Sequence, residues 1–371
     1  MKKIFLLAAA AVALMASCTK TEVVETVNDQ NAITFNAFFH KATKATEVTT
    51  ADISAFEVTA MLNNAPYFEA VKVSKNGSAW TYSPVQYWPA EGELDFFAWA
   101  PLDSTGITEN AYNVFTVAPP ADAAKQPDFV VARTQGSKTG ATNNATSGVT
   151  INFRHAMSQI AVKVYNSNPN LEFDIYGWKV CGVDVDGTFT LKDANTDTND
   201  AAKLAYADWT DNTGNFTGVF YDDFDLFNKA VSSAEASTAA AAITGATPMI
   251  LVPQNGATAA AAYVSGDADA TMDGSYIAID MLIKNSTDHT AVATRQWCCW
   301  PAAFSWEPGY KYTYVIDLSE GGYKELNDGK TETNPKEDDD LDPVLDNAEI
   351  FFATVTVDAW DVKTDKVVSI L

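Results

Sequence analysis

From residue 32 onward the chain is a succession of short segments in which apolar and polar residues alternate, each closed by turn-forming residues. A period of two places alternate side chains on opposite faces, which is the signature of a half-buried β-strand. Segments 32–38, 55–62, 68–73, 80–83, 94–99, 114–117 and 129–132 have ordinary strand lengths. The longer segment 149–164 carries Ile151, Phe153 and His155 in one phase and Ile160, Val162 and Val164 in another, which predicts a bulge between them. Beyond the turn-rich stretch 166–170 (NSNPN) a second series runs through 173–180, 188–191, 248–252, 276–283, 293–300, 310–318 and 350–357. Regular short strands with few helical stretches predict an all-β fold of β-sandwiches. The two series predict two domains, 31–166 and 167–371. Stretch 234–242 (AEASTAAAA) reads as one short helix, and 321–347 as a long acidic insertion.

The amino terminus has a different logic. Lys2 and Lys3 precede an apolar run over 4–14, and Met15, Ala16, Ser17 and Cys18 follow. A basic start, a short apolar run and a small-residue site describe a secretory signal over 1–17, too short to span a bilayer. With Cys18 directly after LMAS, the segment resembles the bacterial lipoprotein signal. That resemblance implies cleavage before Cys18 and acylation of its thiol and its new amine. Two or more acyl chains hold a soluble body firmly at a membrane. Residues 18–30, polar and acidic after the cysteine, then read as a flexible tether. No second run is long enough to span.

Charge narrows the choice of partners. The chain has 48 acidic against 24 basic residues, a formal net charge of -24. Such a body repels phosphate backbones, so nucleic acid is not an expected partner. With 47% hydrophobic and 12% aromatic residues, a disordered chain is excluded.

Little in the sequence resembles a reaction centre. Besides Cys18 there are Cys181, Cys298 and Cys299, and no CxxC pair or Cys/His cluster. A bridge from Cys181 to Cys298 or Cys299, or three buried thiols, are both open. His40, His155 and His289 lie far apart, and His155 reads as a hydrogen-bonding residue at a core edge. Stretch 193–199 (DANTDTN) resembles the start of a calcium loop. It has Thr198 where glycine is needed and Leu204 where glutamate is needed, so it reads as a solvated turn. Asp184, Asp186 and Gly187 read as a hairpin turn. No nucleophile elbow, phosphate loop or dinucleotide fingerprint occurs. No catalytic residue, metal ligand or cofactor is expected, and the chain does not read as an enzyme.

Several phrases, in order, carry a family resemblance. They are 32–35 (AITF) with 43–46 (TKAT), Trp88 and Pro89 with 94–101 (LDFFAWAP), 126–132 (QPDFVVA) and 153–160 (FRHAMSQI). The second half adds 249–254 (MILVPQ), 306–314 (WEPGYKYTY) and 355–360 (VTVDAW). Together they resemble the fimbrillins, the subunits of Bacteroidetes type V pili. The resemblance implies two tandem transthyretin-like β-sandwiches and a structural, adhesive role at the outer membrane and cell surface. It further implies export as a lipoprotein, removal of the first strand by proteolysis, and polymerisation with other fimbrial subunits by donor-strand exchange. Members are often cut after arginine in the loop following the first strand; here the basic residues available are Lys41 and Lys44.

The residues themselves suit that scheme. Ile33 and Phe35, and one step out of phase Phe38 and Phe39, make an apolar strand ahead of a small, basic stretch, 40–46. Tail residues Val367, Val368, Ile370 and Leu371 could serve as a donor or pack on their own domain. A tail folded in suits a tip or anchor subunit better than a stalk subunit. The competing reading is a surface lipoprotein that never polymerises and binds host glycans or proteins through aromatic side chains. Of its nine tryptophans, Trp88, Trp99 and Trp360 sit in strand phrases, where core or core-edge packing is expected.

Overall fold

The computed structural model describes residues 31–39, 53–139, 144–192, 204, 208–210, 216–223, 229–232, 240–243, 246–260, 262–263, 272–319, 321–324, 344–345, 352–359 and 362–368. Nine strands make up the first half: β1 (Phe35–Phe39), β2 (Ala55–Leu62), β3 (Ala65–Asn76), β4 (Ala79–Thr81), β5 (Leu94–Ala100), β6 (Ile107–Ala111), β7 (Val114–Val117), β8 (Val130–Gly136) and β9 (Val149–His155). Seven of them form one sheet in the order β1-β9-β8-β5-β2-β3-β4. Every pairing in it is antiparallel except that of β1 with β9, which is parallel. The β2–β3 hairpin turns on Asn63 and Asn64, both with positive φ (51° and 62°), as a two-residue turn matched to strand twist requires.

The period-two pattern predicts the inner face well. Phe56, Val58 and Ala60 of β2, Leu94, Phe96 and Ala98 of β5, and Val149, Ile151 and Phe153 of β9 share one buried core. β5 and β8 also bury their other face. Phe97 and Val131 join Phe115 and Val117 of β7 in a second core. Burial on both faces explains why 94–101 and 129–132 are nearly continuous apolar runs rather than alternating ones.

Five strands open the second half: β10 (Ser158–Tyr165), β11 (Leu171–Val183), β12 (Gly187–Thr190), β13 (Trp209–Thr210) and β14 (Gly218–Asp223). β10 pairs in parallel with Tyr310–Asp317, and that strand pairs with Phe352–Ala359. β11 lies between β14 and Tyr276–Asn285, which in turn pairs with Ala291–Pro301. The two sheets enclose a core of their own that includes Ile160, Val162, Phe173, Ile175, Trp178, Ile277, Ile279, Trp300, Tyr314 and Ile316.

Three sequence expectations change. The phase shift after His155 is not a bulge: the chain leaves the first sheet there and enters another at Ser158. β10, placed on sequence within 31–166, hydrogen-bonds in the second half, so the sheets divide between His155 and Ser158 rather than at residue 166. Ala241–Ala242, at the end of the stretch read as a helix, is a short strand against Lys163 and Val164. The rest of that stretch, apart from Ala240, lies outside the described residues, as does most of the acidic insertion 321–347.

A four-stranded sheet, β13-β12-β7-β6, takes two strands from each half and joins them. Its buried rings Phe115, Phe189 and Trp209 pack at steep angles with Phe129, the centroids of successive pairs Phe115–Phe129, Phe129–Phe189 and Phe189–Trp209 lying 5.0, 5.7 and 5.3 Å apart. Glu109 of β6 meets Glu57 of β2 there, and the Trp99 indole N–H donates to Glu57 Oε1 at 3.2 Å. Burial, then the hydrogen bond and charge of Glu57, push Glu109 up to about 8. Because this folded-state value lies above the unfolded 4.5, the folded protein holds a proton that the unfolded chain releases. The contribution of Glu109 to stability is therefore complete below about 4.5 and is lost as pH rises towards 8. Glu109→Gln should raise Tm relative to wild type at pH 8 and by much less at pH 4.5, as read by thermal melts across that range.

Candidate functional site: the first strand and the seam it closes

Segment 31–39 does more than cover one face. Its first part runs antiparallel to 86–88: the Ile33 N–H donates to the Gln86 carbonyl and the Trp88 N–H to the Asn31 carbonyl, both at 2.9 Å. Ala32 lies opposite Tyr87. At Thr34 the segment changes partner. The Val149 N–H donates to the Thr34 carbonyl at 2.7 Å, and Phe35 to Phe39 then pair in parallel with Val149 to Phe153. Segment 31–39 thus hydrogen-bonds to the chain at 86–88 with its first part and covers the outer edge of β9 with its second.

Side chains complete the closure. Ile33, Phe35 and Ala37 alternate into the core, with Ile33 only 1% and Phe35 4% exposed. The Phe35 ring sits 5.5 Å from Tyr82, 5.9 Å from Phe96 and 6.1 Å from Phe56. Full burial of such side chains contributes roughly 1.5–3 kcal/mol each. The Tyr82 hydroxyl donates to the Ile33 carbonyl at 2.7 Å, and burial raises that phenol above its ordinary range, keeping it a donor. Asn36 Nδ2 donates to the Ser147 carbonyl at 2.6 Å, and Lys138 Nζ donates to Asn31 Oδ1. At Gly148, φ is +77°, a conformation that favours glycine, and a Cβ would fall 2.7 Å from Asn36 Nδ2, whose amide would have to shift.

At the other terminus, Val362–Val368 pairs antiparallel with Phe352–Ala359, opposing Val368 to Val355 and Lys366 to Val357. The tail is therefore the outer strand of its own sheet. Ile370 and Leu371 lie outside the described residues, as do Cys18, His40, Lys41, Lys44, Trp360 and the calcium-like stretch 193–199.

His155 is a buried hydrogen-bonding residue, its Nδ1 2.9 Å from Asp128. Sequence reasoning missed that partner, although both residues stand in family phrases. Val130 opposes His155 across β8 and β9, so Asp128, two residues away along the chain, comes within reach. His289 Nδ1 lies 2.6 Å from Glu172, which also pairs with Lys284. Among the described residues no three potential ligands gather as a metal site. Asp184 is buried and held above the usual carboxylate range by burial and by Asp186, and its backbone N–H donates to Gln254 Oε1 at 2.9 Å. The segment through Asp186 and Gly187 carries the chain from β11 into a different sheet, so it is not the hairpin turn expected.

Cys181, Cys298 and Cys299 are buried thiols, none of them in a disulfide. Strand Tyr276–Asn285 lies between those bearing Cys181 and Cys299, which separates the backbones by about 10 Å, beyond disulfide reach. Trp88, Trp178, Trp209, Trp300 and Trp306 are buried. Trp80, Trp99 and Trp297 are half-buried, so no described tryptophan forms an open platform.

A family model described as fimbrillin-like matches residues 41–335. The chain belongs to the fimbrillin-like family. The solved structures it resembles include a candidate cell adhesion protein from Bacteroides ovatus (14% identity, TM-score 0.46, covering 90% of this chain and 98% of the other). Others are a fimbrial assembly protein from Parabacteroides distasonis (12%, TM-score 0.38, covering 91% and 98%) and the fimbrial anchor protein Mfa2 from Porphyromonas gingivalis (10%, TM-score 0.34, covering 89% and 97%). No curated protein sequence matches.

In this fimbrillin-like chain Phe35 anchors the seam, touching three rings and lying between two edges. Phe35→Ala should lower unfolding stability by about 3–5 kcal/mol in denaturant titrations.

Proposed function

We propose that this protein is a structural and adhesive subunit of a surface fimbrium, assembled when a strand of a neighbouring subunit takes the place of its first strand. The observation that supports this reading is the position of segment 31–39, hydrogen-bonded to 86–88 and to β9 with Ile33 and Phe35 in the core. Taking that segment away uncovers two hydrogen-bonding edges and a groove lined by Phe56, Phe96 and Phe153. A donor strand with the same alternation would restore both.

Exchange of like for like releases little net free energy, so the resident strand must first lose its advantage. While segment 31–39 is covalently joined to β2 it is an intramolecular ligand with a high effective concentration. A cut after Lys41 or Lys44 removes that advantage and leaves the strand held only non-covalently. In this proposal the chain reaches the outer membrane as a lipoprotein acylated at Cys18, and cleavage follows at the surface. Pairing of the tail with Phe352–Ala359 favours a terminal position, tip or anchor, because the tail already serves its own sheet.

Limited trypsin treatment of lipid-free protein, followed by N-terminal sequencing and electron microscopy, tests this. Cleavage at Lys41 or Lys44 with loss of segment 31–39, and then joining to other subunits, is the expected result. A chain that sheds the segment and neither polymerises nor accepts a donor-strand peptide would refute it and favour a non-polymerising, glycan- or protein-binding lipoprotein. Separately, Cys18→Ala should abolish incorporation of labelled palmitate in the native host and release the protein from the membrane fraction.

A further inference from the structure

Segment 31–39 is held by two kinds of contact, and only one of them depends on its sequence. The backbone bonds to 86–88 and to β9, and the bond from the Tyr82 hydroxyl to the Ile33 carbonyl, can be made by most strands of the same polarity. Side chains discriminate. Ile33, Phe35 and Ala37 enter one core together. Phe35 meets the most defined surroundings: its ring lies edge-on to Phe56 and Phe96 and tilted against Tyr82, and Phe56 and Phe96 are fully buried. Phe56 packs in turn against Trp80 and Phe153, and Phe96 against Phe68 and Trp88. Rings braced in this way close only partly over the space left by a smaller side chain.

The Phe35 register therefore discriminates among incoming strands. The tail of this chain fits it poorly. Within 362–371 (VKTDKVVSIL) there is no aromatic residue. The alternation that best matches Ile33 and Phe35 is Val368 and Ile370, which sets an isoleucine where the ring belongs. The strand Val362–Val368 also pairs with Phe352–Ala359 in its own sheet. A second copy's segment 31–39 carries the ring, but it occupies that copy's own seam.

We propose, on the premise that subunits join by strand exchange, that the seam selects its donor through an aromatic side chain at the Phe35 register. The entering strand then belongs to a different subunit, with an aliphatic residue two positions before the aromatic one, and is not the tail of a second copy of this chain.

The test uses the lipid-free chain with a thrombin site placed within 40–52, so that cutting does not rely on Lys41 or Lys44. The cut chain is unfolded in urea and refolded with excess fluorescein-labelled peptide, and bound peptide is read by fluorescence anisotropy. The peptide with the sequence of 31–39 is expected to enter. Its Phe35→Ile and Phe35→Ala forms should bind at least about tenfold more weakly, and the peptide 362–371 should be weaker by a similar factor. Ile370→Phe in the tail peptide should recover at least about tenfold. Every change is made in the peptide, so none of them alters the folding of the protein. Equal binding of the Phe35→Ile form, equal binding of 362–371, or no gain from Ile370→Phe overturns the selection and leaves strand exchange standing. If the 31–39 peptide itself does not enter a cut chain that circular dichroism shows to be folded, strand exchange is refuted and the selection falls with it.

Discussion

The amino-terminal half depends on one closure: segment 31–39 pairing with 86–88 on one side and β9 on the other while Phe35 fills the space among Phe56, Tyr82 and Phe96. A sheet with an apolar inner face and two open edges is poorly protected from water and from other strands. Here one short strand satisfies both needs, changing partner at Thr34. The closing element is short and is held by repetitive backbone bonds together with the buried rings around Phe35. A short element with alternating apolar residues is what the proposed exchange with a strand from another subunit calls for.

The rest of the molecule has cores of its own. The core that Phe35 completes is distinct from the core of the second half. Between them lies a third, built under the sheet that draws β6 and β7 from one half and β12 and β13 from the other. β5 and β8 are anchored by that third core on their outer face. They have an apolar foundation independent of the first strand. The polar groups nearby follow the same economy of space: Asp128 with His155, between neighbouring strands of one sheet, and Glu57 with Glu109, where two sheets meet, are carboxyls drawn out of water.

Much of the strand inventory was legible because alternation survives where one face of a strand is less buried than the other, as in 114–117, and both 55–62 and 114–117 match observed strands residue for residue. Segment 149–164 was misread because a change of phase looks alike whether a strand bulges or the chain moves to another sheet. Only the parallel pairing of Ser158–Tyr165 with Tyr310–Asp317, about 150 residues away in sequence, tells the two apart. His155 was legible as a hydrogen-bonding residue, whereas its partner Asp128 depends on the β8–β9 register.

By itself the sequence determined that the protein is all-β, that its strands are short and that its first strand is apolar on one face. Those properties follow from local periodicity and turn chemistry, which act over a few residues. The family was legible for a related reason, since its phrases lie within individual strands and the turns that follow them. Tertiary structure alone decided where the sheets divide, that Cys181 and Cys299 stand a strand apart, that the tail pairs with Phe352–Ala359, and that segment 31–39 bridges two edges. Each is a choice of partner among many strands of similar pattern. That choice is made by the fit of whole faces against one another, and no short stretch of sequence carries it.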